Sequence, residues 1–383
     1  MELLILDTNF VAVDTIDIFE SVLWTDRFNS FGDFEIFAPV SDKMLQNLKY
    51  DYYLWLEGSN HTMIVEDLVI ASDFENGARL IVTGRSLESI LDRRIIWKKT
   101  VLAGDFELGI KKLLDENIIS PTDTARAISN FRFEFSNDPV IEALTIDAQF
   151  TGENLYDVIQ YMCDIEGIGF KVTLEDTTND FVFKLYSGVD RTYAQSANPY
   201  VIFSPKFENL INSNYVESKK TLKNVTLVAG EEYDTTKDDV EAALIVLQAN
   251  GNTFVDVGAG IVRKTVVVAA PGEYIDNLGR REMFSDARDI TQTIEGVKMT
   301  DTVYFKQLTS RGASELTKNS STQSFEGSVE TTHSFIFGED YFMGDKVQII
   351  NEFEFESVVR IVEVVRSHSL EGETILPTFS KVQ

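Results

Sequence analysis

The segment FESVLWTDRFNSFGDFEIFAP, residues 19–39, holds two runs of aromatic and β-branched residues with a polar turn between them. Phe19–Thr25 and Asp33–Pro39 have the composition of strands, and Asn29–Gly32 supplies residue types that turns favour. Short runs of the same kind occur on both sides, at Leu3–Leu6, Val11–Val13, Tyr52–Glu57, Thr62–Ser72 and Ala78–Gly84. So many short strands in so little chain predict a closed antiparallel β-barrel over residues 1–98.

Local signals place one hairpin and two short helices in this stretch. Asn76-Gly77 lies between two strand-like runs and is a strong hairpin signal. Ser41 is the expected N-cap of a helix that reaches Leu48. Ser86, with Glu88 and Ser89 close behind it, has the residue types of a second helix start.

Residues 99–199 change to helical periodicity. Asp105 precedes apolar residues at helical spacing and is the expected N-cap of a helix. Glu153–Ile165 carries a second apolar stripe, which is expected to end at Gly167. Two strands are expected to complete this mixed α+β module, Gly169–Leu174 and Phe181–Tyr186.

From residue 200 the chain returns to strands. One helix is expected at Thr302–Leu316, with Thr300 or Asp301 as its N-cap. The expected strands share Val, Ile, Thr and aromatic residues and are Asn224–Ala229, Thr253–Ala270, Ser328–Phe337, Lys346–Asn351, Val358–Ser367 and Thr374–Pro377. The 383 residues include seven prolines and no Gly/Ser linker, so the domains are expected to pack directly against one another.

The charge balance excludes one class of function. The chain has 62 acidic and 34 basic residues, a net charge of -28. A nucleic-acid groove needs a basic stripe, but the densest basic runs are Arg93-Arg94 with Lys98-Lys99, and Arg280-Arg281. Stable binding of nucleic acid or of an anionic membrane surface is therefore not expected. The acidity fits two interpretations, solubility alone or a surface that DNA passes without sticking.

Catalytic and metal-binding patterns are missing from the sequence. His61, His333 and His368 lack metal-ligand spacing, and the only cysteine, Cys163, lies in an apolar helical pattern that predicts a buried, inert thiol. No catalytic, cofactor-binding or metal-binding residue is predicted. The first residues lack the features of a signal peptide, and no apolar run reaches about 18 residues, so neither a leader nor a membrane span is expected.

Three motifs resemble siphophage tail proteins of the Gp37-like group. The first joins Leu6-Asp7 to FES (19–21), WTDR (24–27) and GDFE (32–35), and the second is GRSLESILDRR (84–94). The third, FMGDKV (342–347) with RIVEV (360–364) and PTF (377–379), is similar to the closing segment of many tail-hub proteins. The motifs cover both ends of the chain and are structural signatures without catalytic content.

This resemblance implies a β-rich α+β fold with two antiparallel β-barrels plus α+β modules. Such a fold is like that of contractile-phage baseplate hubs and of the N-terminal hub region of tail-associated lysins. In that family the second barrel is discontinuous. The implied domains are a first barrel (1–98), an α+β domain (99–199), a second barrel (200–230 and 320–370), inserted strands and a helix (231–319) and a C-terminal segment (371–383).

The resemblance also implies a structural role in a non-contractile phage tail and no enzyme activity. Such hubs are homotrimers in which two barrels per chain make a pseudo-sixfold ring at the distal end of the tail tube. The implied partners are the distal tail protein, the tape measure protein and receptor-binding or fibre proteins, while DNA passes transiently without specific binding. No cofactor is implied, and the expected location is the virion tail tip, after assembly in the host cytoplasm.

Four aromatic residues are candidate interface contacts: Trp24, Phe34, Tyr341 and Phe342. Burial in the core is the alternative for each of them. Two other functions stay open beside the structural hub. One is a cell-wall-degrading peptidoglycan hydrolase that acts through two carboxylates. The other is a receptor- or carbohydrate-binding adhesin of the tail tip.

Overall fold

The computed structural model describes residues 2–59, 61–73, 77–232, 263–272, 276–294, 296–329, 334–369 and 372–382. Buried apolar residues in these ranges form four clusters. Strands dominate, and the three longest helices lie in the middle of the chain. The result is a β-rich α+β fold.

The first seven strands form an antiparallel sheet around one core. Its elements are β1 (Leu3–Leu6), β2 (Ala12–Ile16), β3 (Ser21–Arg27), β4 (Asp33–Pro39), helix α1 (Asp42–Asn47), β5 (Tyr53–Leu56), β6 (Thr62–Asp73) and β7 (Gly77–Ser86). In β4, Phe34, Ile36 and Ala38 are buried and alternate with more exposed residues. This is the two-residue period of a strand with one face in a core.

The next elements form the α+β module. They are a 3₁₀ helix (Leu87–Arg93), β8 (Thr100–Asp105), α2 (Phe106–Leu114), a π-helical turn (Asp115–Ile119), a 3₁₀ helix (Thr124–Arg126), β9 (Phe131–Glu134), α3 (Pro139–Glu142), β10 (Thr145–Phe150), α4 (Leu155–Glu166), β11 (Gly169–Glu175) and β12 (Asp180–Tyr186). Asn154 caps the start of α4, and Gly167 ends it in the left-handed conformation at φ 63°. β12 pairs antiparallel with β11 and parallel with β9.

Strands β13 (Ile202–Phe203) and β14 (Leu210–Ser218), with a 3₁₀ helix (Pro205–Phe207) between them, lead to an inserted module. Its elements are β15 (Val225–Glu232), β16 (Arg263–Ala269), a 3₁₀ helix (Asn277–Gly279), β17 (Glu282–Asp286), β18 (Thr293–Ile294), β19 (Val297–Lys298) and α5 (Asp301–Lys318). β15 falls largely within residues 200–230, which were expected in the second barrel, but it pairs with β16 and β17 of the inserted module. The reason is that Val228 packs with Tyr304 and Leu308 of α5 in the core of this module.

The last strands are β20 (Thr322–Val329), β21 (Lys346–Ile350), β22 (Glu356–Ser369) and β23 (Gly372–Lys381). β22 is 14 residues long and pairs with β21, β23 and β3, which joins both ends of the chain in one sheet of 11 strands. Among the described strands no ladder closes residues 1–98 on themselves. The edge of β3 that would close the predicted barrel is occupied by β22 instead.

Several local predictions are confirmed. Ser41, Asp105 and Thr300 each accept a hydrogen bond from the first turn of a helix. β6 and β7 form the predicted hairpin, although Asn76 itself lies outside the described residues. Parts of two other predicted strands also lie outside them, residues 253–262 and 330–333. Within the described ranges, no helix has the length and apolar character needed to cross a bilayer.

Candidate assembly site

The second sequence motif leads to a buried ion pair. Glu88 lies in the first turn of the 3₁₀ helix Leu87–Arg93 and is completely buried. Its Oε1 lies 3.1 Å from Nδ1 of His61 and accepts the backbone N–H of Val172 at 2.7 Å, while Ser86 Oγ donates to Oε2. The carboxylate therefore connects the first sheet to β11 of the α+β module.

Electrostatics favour the charged form of both partners. Burial by itself lowers the pKa of His61, but the charge and hydrogen bond of Glu88 and the charge of Asp26 together outweigh burial and raise that pKa to about 9. Burial by itself raises the pKa of Glu88, but the charge of His61 and the hydrogen bonds to the carboxylate together outweigh burial and lower that pKa. At neutral pH the two residues are therefore an imidazolium and a carboxylate inside the protein.

Ser86 differs from its predicted role. It occupies the N-cap position of the 3₁₀ helix, but its side chain makes no capping hydrogen bond. Its Oγ instead accepts the backbone N–H of Gly32 at 2.7 Å and donates to Glu88. The first and second motifs, far apart in sequence, thus meet at this hydroxyl.

A second polar cluster lies at the seam between β3 and β22. Trp24 Nε1 donates to Asp26 Oδ1 at 3.1 Å and to Ser59 Oγ at 3.0 Å. Arg366 stands opposite Trp24 in the ladder, donates to the carbonyl of Gly58 and lies 3.9 Å from Asp26. These bonds hold the C-terminal strand on the first sheet.

The third motif forms another joint, around Asp345. Its carboxylate accepts the guanidinium of Arg191 at 2.6 Å and the backbone N–H groups of Val189 and Phe342 at 2.7 and 3.0 Å. Nearby, Arg360 covers the ring of Phe28 at 4.7 Å. This joint fixes the chain that leaves the α+β module against the C-terminal strands.

The four candidate interface residues have different environments. Trp24, Phe34 and Tyr341 are buried in the cores of the single chain, where Trp24 and Phe34 lie 6.0 Å apart. Phe342 is 43% exposed and lies beside Arg191. Of the four, Phe342 alone has a side chain that a partner could reach.

Two exposed apolar side chains that sequence reasoning missed lie on opposite faces of the hairpin of β6 and β7. Val69 is 52% and Ile70 55% exposed, although both lie within β6. β5 pairs with Thr62–Ile64, and beyond Val65 the described pairing of β6 is to β7 alone. This part of the strand therefore has a free hydrogen-bonding edge as well as exposed apolar side chains.

The remaining histidine and cysteine side chains have ordinary structural environments. Cys163 is completely buried in α4, where burial raises its pKa well above the usual range. His368 lies 3.7 Å from Glu373 and packs edge-on against Phe19, while His333 lies outside the described residues. In the described part of the chain, no group of three or more His, Cys, Asp or Glu could hold a metal ion.

The match to a protein family extends over nearly the whole chain. The family model described as Siphovirus ReqiPepy6 Gp37-like protein matches residues 2–379. The chain belongs to this family. The resemblance inferred from the three motifs is therefore confirmed. Each polar joint of this Gp37-like protein includes at least one residue of those motifs.

Solved structures of phage tail proteins share the fold of this Gp37-like chain over its full length. Prophage MuSo2 43 kDa tail protein from Shewanella oneidensis has a TM-score of 0.55 at 12% identity, covering 100% of this chain and 98% of that one. A tail protein from Neisseria meningitidis MC58 has a TM-score of 0.54 at 12% identity, covering 100% and 96%. Prophage tail protein gp18 from Listeria monocytogenes EGD-e has 0.50 at 15%, also covering 100% and 96%. No curated protein matches the sequence.

Proposed function

We propose that this protein is the structural hub of a non-contractile phage tail, a trimeric ring at the distal end of the tail tube. The observation that carries the proposal is the family match over residues 2–379, together with a fold shared with phage tail proteins along the whole chain. Polar residues of its motifs form joints between modules, which suits a structural part better than a catalyst.

In the proposed ring each chain supplies two barrel-like units. The first surrounds the core of β1–β7, and the second surrounds the core formed by β13 and β21–β23 with Tyr341. β22 links the two units within one sheet. Three copies of the chain would place six similar units around one axis. Such a ring could contact a sixfold-symmetric tail tube on one side and a threefold-symmetric tip on the other.

The net charge of -28 suits a ring that surrounds DNA without holding it. Phosphates and carboxylates repel each other, so a genome can slide along an acidic wall. We assign contacts between subunits to the free edge of β6 with Val69 and Ile70. A neighbouring subunit could pair with this edge and cover the two exposed apolar side chains. The ring would bind the distal tail protein and the tape measure protein and open for DNA.

Mass photometry of the purified chain tests the proposal first. A ring predicts a particle of about 130 kDa, three times the 43.2 kDa chain. A reconstruction of the tail tip by cryo-electron microscopy would then show threefold symmetry and this chain around the lumen. A protein that stays monomeric at high concentration, or lies outside the tube axis, contradicts the proposal.

The two other candidate functions predict different results. A peptidoglycan hydrolase would release soluble fragments from purified cell walls and lose that activity on substitution of one Asp or Glu. An adhesin would bind cell-wall glycans saturably as an isolated protein. The hub predicts neither result.

A further inference from the structure

One basic patch stands out on this acidic protein. It consists of Arg93, Arg94, Trp97, Lys98 and Arg126, where the 3₁₀ helix Leu87–Arg93 and the 3₁₀ helix Thr124–Arg126 come together. Most of its members line a pocket of about 370 Å³. Trp97 is 58% exposed and Ile95, at the same pocket, 45%.

Neutral groups hold the two central guanidinium groups in place. Arg94 donates from Nε to the carbonyl of Arg126 at 3.1 Å and from Nη1 to the carbonyl of Arg93 at 2.9 Å. Arg126 donates from Nη2 to the carbonyl of Ile95 at 2.6 Å and to Asn117 Oδ1 at 3.1 Å, and its Cζ lies 4.2 Å from the centre of the Trp97 ring. Both charges are thus fixed in position.

Neither of the two guanidinium groups contacts a carboxylate in the described part of the chain. In the described part of the chain, no carboxylate lies within ion-pair distance of Arg94 or Arg126, whereas Arg27 and Arg85 each contact two. Burial and then the neighbouring charge of Arg94 lower the pKa of Arg126, and the charge of Asp123 opposes them without reversing the shift. Two guanidinium groups that lie close together with no carboxylate in contact would be stabilised by a carboxylate from outside, through charge-assisted and bidentate hydrogen bonds.

The net charge of the chain indicates which kind of surface binds to the basic patch. Copies that each carry -28 repel one another, so three of them associate only where local contacts oppose that repulsion. A second copy of the chain also presents carboxylates in excess. Arg and Trp are the residue types that dominate binding energy at interfaces.

We infer that the patch of Arg94, Arg126 and Trp97 docks onto a carboxylate-bearing surface of a second copy of this chain in the ring. The inference rests on the proposed trimer and names one of its contacts. The guanidinium groups bind the neighbour's carboxylates, and Trp97 with Ile95 covers the apolar surface beside them.

Charge removal tests the inference. Arg94→Gln and Arg126→Gln are expected to raise the dissociation constant of the trimer at least about tenfold at low salt, with a smaller difference at high salt. Arg132→Gln is the matched control, because that arginine is similarly exposed but already pairs with Glu134 and Glu175. Analytical ultracentrifugation gives the constants, and circular dichroism shows which variants are folded.

A further variant covers the case in which loss of a guanidinium disturbs local folding. Lys98→Glu reverses a charge of the patch, and the Lys98 amine contacts only the Thr122 hydroxyl among the described residues. It is expected to weaken the trimer by a similar factor while the monomer stays folded. A photo-crosslinking amino acid in place of Trp97 is expected to link to an acidic peptide of a neighbouring copy.

The outcomes separate the two proposals. If the wild type forms a trimer and the folded patch variants form it equally well, the inference is overturned and the hub stands. Crosslinks from position 97 confined to one chain overturn it in the same way. If the wild type forms no trimer, the proposed ring and this contact both fail.

Discussion

The buried pair of His61 and Glu88 shows how single residues hold the modules together. Glu88 also accepts the N–H of Val172, so loss of either partner would leave an uncompensated charge at the boundary between two cores. Such a loss costs about 3–5 kcal/mol. No partner of His61 could be predicted from the sequence, because the pair depends on a contact between distant segments that composition and periodicity do not report.

Stability should fall on the alkaline side because of His61. Its pKa is about 9 in the folded chain and 6.5 ordinarily, so the contribution is fully present below pH 6.5 and is lost as pH rises through 9. Urea unfolding gives the difference in unfolding free energy between the wild type and His61→Gln. This difference is expected to shrink by roughly 3 kcal/mol between pH 6.5 and pH 9. His368→Gln is the control, since that side chain is partly exposed. Parallel pH profiles for wild type and His61→Gln would contradict the charged pair.

Gly344 in the third motif is expected to tolerate no side chain. It has φ 88°, and a Cβ atom would lie 2.4 Å from the Phe28 ring. Gly344→Ala should therefore lower the free energy of unfolding by more than about 2 kcal/mol, through both backbone strain and overpacking. Gly338→Ala is a matched control with φ 91° and open space around the Cβ position, so it should cost about 1 kcal/mol. Equal losses in thermal or urea unfolding would show that packing at Phe28 is unimportant.

Among the elements, those with strong local signals were predictable. The strand Asp33–Pro39 has the bounds expected from its alternation, and the helix Asp301–Lys318 begins at its predicted cap. Pairing partners were not predictable, because they depend on distant segments. The parallel ladder of β9 with β12 and the seam of β22 with β3 are of this kind. Along that seam β22 occupies one edge of β3, and the two-barrel arrangement stays a prediction.

The free edge of β6 makes its hairpin an assembly element that can be tested. Val69→Thr with Ile70→Thr keeps β-branched residues, so the unfolding free energy of the monomer should change by no more than about 0.5 kcal/mol. The trimer should weaken about tenfold or more, because each buried apolar side chain contributes about 1.5 kcal/mol or more. Leu278→Thr, at a site 98% exposed, serves as the control. An unchanged trimer, measured by mass photometry over a dilution series, would remove this hairpin from the interface.

Across the whole molecule, the proposed function depends on an arrangement of surfaces. Three sequence motifs were enough to predict the family. Residues of those motifs lie at the polar joints around Glu88, Asp26 and Asp345. The candidate interface was harder to predict, because three of the four aromatic residues chosen from sequence fill the interior. Aromatic composition alone does not separate a core residue from a contact residue.

The acidity of the whole chain predicts the absence of DNA binding. Duplex DNA is held chiefly through phosphates neutralised by Lys and Arg, and a protein with net charge -28 opposes the approach of the duplex. A lower salt concentration strengthens that repulsion, whereas the same change raises the affinity of a DNA-binding protein for the duplex. In electrophoretic mobility shifts, we therefore expect no complex at physiological salt and none at low salt, with a basic DNA-binding protein as the positive control. A complex that tightens as salt is lowered would mean that the basic patch around Arg94 and Arg126 grips phosphates, and the ring would then hold the genome instead of letting it pass.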